Sequence, residues 1–135
     1  MKIIRVTNPE ISIPLLPWFA EAEGELSREE CVNGLQILMT EMSEETCVLV
    51  ATDKQYMKGF VVGYIEKDGG LWIWQAKKSK DMRNFQLLIH KLYTWARTMG
   101  AKKATLGSDD KRLRRLYKRK YGYTPIGGNL MEKAI

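Results

Sequence analysis

Residues 81–101 read DMRNFQLLIHKLYTWARTMGA. Phe85, Leu88, Ile89, Leu92, Trp95, Ala96 and Met99 recur at i, i+3, i+4 and i+7, the apolar stripe of an amphipathic helix, and Gly100 is the residue type that commonly ends one. The spacing predicts one long helix from Asp81 to Met99. A helix with a single apolar face needs a surface to cover, and the segments on either side of it read as strands.

Upstream, Cys47 to Ala51, Gly59 to Ile65 and Leu71 to Trp74 are rich in β-branched and aromatic residues and are separated by polar turns. Asp68-Gly69-Gly70 is a hairpin signal, so these three strands should form an antiparallel meander. Ser27 with Glu29 and Glu30 makes a capping pattern, after which Cys31, Leu35, Leu38, Met39 and Met42 follow at helical spacing. Lys2 to Val6 reads as a first strand. Asn8-Pro9-Glu10 then opens a helix through Leu15, Leu16, Trp18 and Phe19 to Gly24, interrupted by Pro14 and Pro17.

Downstream, Ala104 to Leu106 is a short strand, and Asp109 or Asp110 caps a basic helix through Leu113, Leu116, Tyr117 and Tyr121. Gly122 closes that helix before a last strand near Leu130-Met131, which is free to pair across a homodimer or to stand as an exposed edge. The expected fold is α/β in content (α+β), a mixed, mainly antiparallel sheet of about six strands flanked by about four helices. A chain of 135 residues suits one domain, 1–135, with one core.

With 44% apolar and 28% charged residues the composition is that of a globular protein rather than a disordered or fibrous one. Met1 to Thr7 hold Lys2 and Arg5 and no uninterrupted apolar stretch, and no apolar run approaches the ~20 residues of a membrane span. A soluble, cytoplasmic protein without signal peptide or membrane contact is expected. Cys31 and Cys47 lack CxxC spacing and the chain has one histidine, His90, so both cysteines read as buried thiols and no metal site is expected.

The net charge of +6 conceals an asymmetry. Residues 1–76 hold 6 basic and 12 acidic side chains, whereas residues 77–120 hold 15 basic and 3 acidic. The basic part should attract an anionic partner, and the helix spanning 111–120, with seven cations, makes nucleic-acid phosphate one such partner.

The order of strand, two helices, three antiparallel strands, long helix, strand, helix, strand is similar to that of the GNAT acetyltransferase superfamily over nearly the whole chain. Two local stretches add to it. Leu87-Leu88-Ile89 followed by Trp95 to Ala101 resembles the end of the family's long helix and its Gly-Ala step into the next strand. Leu116-Tyr117 followed by Tyr121-Gly122-Tyr123 resembles the Leu-Tyr and Gly-aromatic ending of its last helix, with one extra residue between.

The resemblance implies acetyl transfer from acetyl-CoA, as cosubstrate, to a primary amine on a small molecule or protein. It places Trp74, Gln75 and Ala76 along the pantetheine arm, and Lys77, Lys78 and Lys80 to Phe85 at the pyrophosphate. The family's glycine-containing loop falls on Lys80-Asp81-Met82-Arg83-Asn84-Phe85, where Arg83 and Phe85 replace glycines. A side chain there obstructs close approach of phosphate to backbone, and costs energy wherever φ must be positive. The cluster Lys77, Lys78, Lys80 and Arg83 offers charge in compensation.

By the same resemblance Tyr117 is the acid. A phenol, ordinarily near a pKa of about 10, suits a leaving thiolate whose conjugate acid lies near about 8.5. Packing on the stripe of Leu113 and Tyr121 is the structural alternative for that ring. The base is Glu66 or a water-mediated path, and Asp110 falls seven residues before Tyr117, where the family often has asparagine and where an N-cap serves equally. Trp72 and Trp74 share one face and either wall a cleft or anchor the sheet. A second reading stays open: a non-catalytic binding or structural protein of GNAT shape, similar to certain small bacteriophage proteins, whose basic face takes an anionic partner.

Overall fold

A computed structural model of the protein describes residues 1–8, 28–54 and 56–135. In chain order the elements are β1 (Lys2–Arg5), α1 (Arg28–Glu41), a 3-10 turn (Ser43–Glu45), β2 (Thr46–Asp53), β3 (Tyr56–Ile65) and β4 (Leu71–Lys78). They are followed by α2 (Phe85–Thr98), β5 (Lys103–Gly107), α3 (Lys111–Tyr121), β6 (Thr124–Gly127) and β7 (Leu130–Ala134). The expected helix over 9–24 and the Ser27 cap lie outside the described residues.

All seven strands join one sheet in the order β1-β2-β3-β4-β5-β7-β6. Every neighbouring pair is antiparallel except β4 and β5, which run parallel and are joined by the crossover helix α2. The β3–β4 turn closes as the Asp-Gly-Gly signal demands: Gly69 adopts φ +88° and the Gly70 N–H donates to the Asp68 carboxylate at 2.8 Å.

Alternation along β2 and β3 sends side chains to two cores. Cys47, Leu49, Ala51 and Val61 face Leu88, Leu92 and Ala96 of α2, together with Leu71 and Ile73 of β4. Val48, Val50, Phe60 and Val62 face Leu35, Leu38 and Met39 of α1. The sheet is therefore covered on both faces, which is why β2 is buried from Thr46 to Ala51 without a polar stripe. Cys47 has no exposed surface, and burial pushes its thiol up to about 11, so it is an inert core residue. The side chain of Cys31 lies outside the described residues.

Three sequence expectations are corrected. The crossover helix starts at Phe85 rather than Asp81, because Asp81 and Met82 are held by contacts of their own, described below. The carboxyl-terminal part holds two strands rather than one: Thr124-Pro125-Ile126-Gly127 is an edge strand, turned through Gly127 and Gly128 into β7. A proline fits there because an edge strand can forgo a ladder donor. The last strand consequently pairs on both sides, with β5 and β6, and is neither a free edge nor open to pairing across a dimer. Among the described residues there are three helices of four turns or fewer, and none is long and apolar enough to cross a membrane.

Candidate active site at the parting of strands β4 and β5

The parallel pairing of β4 and β5 is short. It covers Leu71, Trp72 and Ile73 against Ala104, Thr105 and Leu106. Beyond Ile73, β4 continues to Lys78 on the β3 ladder alone, while β5 ends at Gly107 and the chain turns, Ser108 N–H donating to Asn129 O at 3.0 Å. The ladder between β3 and β4 steps at this same point. Val62 pairs with Gln75 and Gly63 with Ile73, so Trp74 is an extra residue on β4, a bulge that redirects the strand.

An opening at the carboxyl ends of two parallel strands, beside their crossover helix, is where open sheets of mixed topology place ligands. Trp74, Gln75 and Ala76 follow on β4 just beyond its last pair with β5. Trp74 also has a packing role: its ring lies against α1, where a Cβ on Gly34 would come within 3.0 Å of it, so only glycine lets α1 sit this close. Gln75 is buried, at 1% exposure, and Ala76 packs at the margin of the α2 core. Trp72 reaches Gly107 of β5 on the other side of the seam.

From this end of β4 the chain passes through Ser79 to Asn84 into α2 as a pinned loop. Ser79 N–H donates to Lys58 O at 2.7 Å, Met82 N–H to Ser79 O at 3.2 Å, and the Lys58 ammonium to the Asp81 carboxylate at 2.8 Å. The Ser79 hydroxyl donates to the other Asp81 oxygen at 2.5 Å, and the Lys78 ammonium to Met82 O at 3.3 Å. Met82 is buried at 4% exposure and fills the space above Gly59, where a Cβ would stand 2.7 Å from its sulfur.

This arrangement answers the concern over the missing glycines. Among the described residues only Lys54 has positive φ without being glycine, so nothing between Lys80 and Phe85 requires one. Phe85 turns into the α2 core, at 8% exposure, and Arg83 is exposed, so neither fills the loop with an apolar obstruction. Lys80 is also exposed. The first turn of α2 holds no acid, and its N-cap Asn84 makes no side-chain cap bond, so the helix N-terminus presents its N–H groups beside these cations. The residues present therefore fit a pyrophosphate by charge and by main-chain donors, through a route other than a glycine cradle.

Asp81 is bound up within the protein. The Lys58 ammonium first, and the Ser79 hydroxyl next, hold its carboxyl down to about 2. A carboxyl depressed in the folded state contributes most above its ordinary pKa and loses that contribution as pH falls through the depressed value. The loop pin is therefore complete above about pH 4 and released near about pH 2. Lys58→Met is expected to move the Asp81 titration from about 2 toward 3.8, read from its carboxyl carbon chemical shift; an unmoved titration would show that Lys58 does not hold the loop.

Tyr117 stands six residues into α3, the helix that leaves the same end of β5. It is half-buried, its ring 5.5 Å from that of Tyr121 and 5.7 Å from that of Tyr123. Tyr123 in turn shares a buried hydroxyl–hydroxyl hydrogen bond of 2.5 Å with Tyr93 of α2, and burial raises the pKa of both phenols. This aromatic stack ties α3 to α2 and fixes the Tyr117 ring from behind. Asp110 is the N-cap of α3, its carboxylate accepting from the Arg112 N–H at 2.8 Å.

Glu66 is placed elsewhere. It follows β3 at the closed end of the seam, its N–H donating to Gly70 O at 2.8 Å, with Asp68 and Lys103 beside it. Burial chiefly, then the Asp68 charge, raises its carboxyl. Leu71 pairs with Ile65 at that end, and at about 3.3 Å per residue Trp74 lies ~10 Å further along β4. The structure thus brings the Trp74–Phe85 group together at one opening and leaves Glu66 at the opposite end. Lys58 and Ser79, which set the loop, carry no signal in the sequence, since their meeting with Asp81 depends on the β3–β4 register.

No family model matches the sequence, and no curated protein matches it. Solved structures do. Aminoglycoside 6'-acetyltransferase type Ii superposes with a TM-score of 0.77 at 18% identity, over 99% of this chain and 97% of that one. An aminoglycoside 6'-N-acetyltransferase complexed with coenzyme A gives 0.75 at 16% identity, over 99% and 97%. An acetyltransferase of the GNAT family from Streptococcus pneumoniae gives 0.66 at 17%, over 99% and 98%. The chain has the GNAT fold along essentially its whole length.

Proposed function

We propose that this chain is a single-domain N-acetyltransferase that moves the acetyl group of acetyl-CoA to a primary amine. The observation that carries the reading is the parting of β4 from β5 beyond Ile73, with a cationic loop and the N-terminus of α2 at its mouth. The likeness in fold to acetyltransferases crystallised with coenzyme A supports it.

In this reading the main chain of Trp74, Gln75 and Ala76 offers the edge of β4 to an extended, amide-bearing arm, as an added strand would use it. Lys80 and Arg83, backed by Lys77 and Lys78, face the pyrophosphate together with the first N–H groups of α2. Met82 and Phe85 serve by anchoring this loop in the core, and Asp81 and Asn84 by shaping it. The acetyl thioester supplies an activated acyl group: a C–N bond forms to the amine as the C–S bond breaks. Tyr117 delivers a proton to the departing thiolate, and the proton lost by the amine passes to water. The placement of Glu66 at the far end of β4 favours that water path over direct proton abstraction.

The acceptor amine is a small molecule in the relatives whose names state one, the aminoglycoside acetyltransferases, and we take a small cationic amine as the acceptor class. Calorimetric titration with acetyl-CoA is expected to give one-to-one micromolar binding, weakened at least about tenfold in Lys80→Ala/Arg83→Ala by loss of two charge-assisted contacts. No binding would sink the enzyme reading. Binding without turnover across a panel of primary amines would replace it with a GNAT-shaped module that senses coenzyme A.

A further inference from the structure

Helix α3 is unlike the other two helices in burying none of its residues. Its eleven positions hold Lys111, Arg112, Arg114, Arg115, Lys118, Arg119 and Lys120 and no acid. Arg114 is held at its base, donating to Ser108 O and to Asn129 Oδ1, and Lys120 lies over the Tyr121 ring. The remaining five make no ion pair among the described residues. Like charges at i, i+4, such as Lys111 with Arg115 and Arg115 with Arg119, oppose helix formation. The helix persists because the Asp110 cap, the left-handed Gly122 and the Tyr117–Tyr121–Tyr123 packing hold it from the other side.

The cations form two rows. Lys111, Arg115 and Lys118 border an open cleft of about 200 Å³ between α3 and the β6–β7 hairpin, floored by Pro125 and Leu130. Arg112, Arg115 and Arg119 border a second hollow on the outer side, beside the exposed Leu116. Neither hollow is lined by Tyr117 or by any residue of the segment from Trp74 to Phe85, so this surface is separate from the opening at β4 and β5.

We propose that the exposed face of α3 binds the phosphate backbone of duplex nucleic acid without regard to sequence. Its eleven residues make a rod ~16 Å long and ~10–12 Å across, which matches the ~12 Å width of the major groove and places cations along both walls. Arginine and lysine are the side chains that neutralise phosphates, whatever the base sequence between them. Single strands are the poorer match, because the tyrosines of α3 are only partly exposed and their rings pack against the core and one another rather than standing out as platforms for base stacking.

The test is fluorescence anisotropy of a labelled 20-base-pair duplex of arbitrary sequence with the intact protein, from 50 to 200 mM KCl. Five unpaired cations predict micromolar affinity at the middle of that range and a slope of log K against log salt of about −4.5. Arg115→Glu/Arg119→Glu is expected to weaken binding at least tenfold and to flatten the slope by about 2, with the far-ultraviolet circular dichroism and melting curve retained. Lys111→Glu/Lys118→Glu, on the other row, gives the same reading if the first variant fails to fold. The proposal is overturned by no anisotropy change at 50 μM protein in 50 mM KCl, by charge-reversed variants that bind as the parent does, or by retention on phosphatidylserine vesicles without duplex binding.

Discussion

Tyr117→Phe is expected to slow acetyl transfer by about 10²–10⁴-fold, the usual contribution of a positioned general acid. The substitution keeps the ring packing, because Tyr121 at 5.5 Å and Tyr123 at 5.7 Å meet the aromatic ring that phenylalanine retains. Loss of one hydroxyl costs about 1 kcal/mol of stability, or a fall of about 3–5 °C in Tm for a chain of this size. Acetyl-CoA affinity should be unchanged, since the proton is delivered only as the thiolate departs. Stopped rates with unchanged binding and a nearly unchanged melting curve would establish the role. A variant that turns over at the parent rate would remove Tyr117 from the chemistry and reduce it to the packing residue of the aromatic stack.

The second large effect lies in the other core. Phe60 has no exposed surface and sits on β3 beneath α1, among Leu35, Leu38, Met39, Val48, Val50 and Val62. Phe60→Ala removes most of a benzyl group from a site that sheet and helix cannot collapse to fill, and is expected to cost about 3–5 kcal/mol. Against a total stability of about 5–15 kcal/mol, that is about a fifth or more of what holds the chain folded. In urea, with a slope of about 1–3 kcal/mol per molar, the midpoint should fall by roughly 2 M. A loss under about 1 kcal/mol would mean that α1 does not seal this face of the sheet. Because Trp74 packs against the same cluster, the variant should also weaken acetyl-CoA binding by loosening the bulge that sets the opening.

Much of this was legible before any coordinates. The stripe from Phe85 to Met99 specified the crossover helix because seven apolar positions agree on one face, and Asp68-Gly69-Gly70 specified its turn because glycine chemistry is local. The same locality gave Asp109 or Asp110 as the start of α3 and Gly122 as its end, and the structure selects Asp110. What escaped were features that depend on register. Asp81 reads as the first residue of a helix until Lys58, 23 residues earlier, is brought beside it by the β3–β4 ladder. Arg83 and Phe85 read as obstructions until the loop's φ angles and the inward turn of Phe85 are known. Thr124-Pro125-Ile126-Gly127 falls between Gly122 and the last strand, where the sequence assigns no element, and its proline is compatible with a strand only because that strand lies at the sheet edge. For Glu66 the sequence offered a carboxylate of the right type, and the fold put it at the end of β3 that pairs with the start of β4, away from Trp74.

The shortness of the β4–β5 seam has a mechanical side. On one side of it lie β1 to β4, and on the other β5, β7 and β6, each set laced by antiparallel ladders. Within the sheet the two sets are hydrogen-bonded along a line only three residues long, Leu71 to Ile73 against Ala104 to Leu106, and the core beneath α2 bridges them. Stress applied across the molecule concentrates at the tip of that line, as it does at the root of a slot cut into a board.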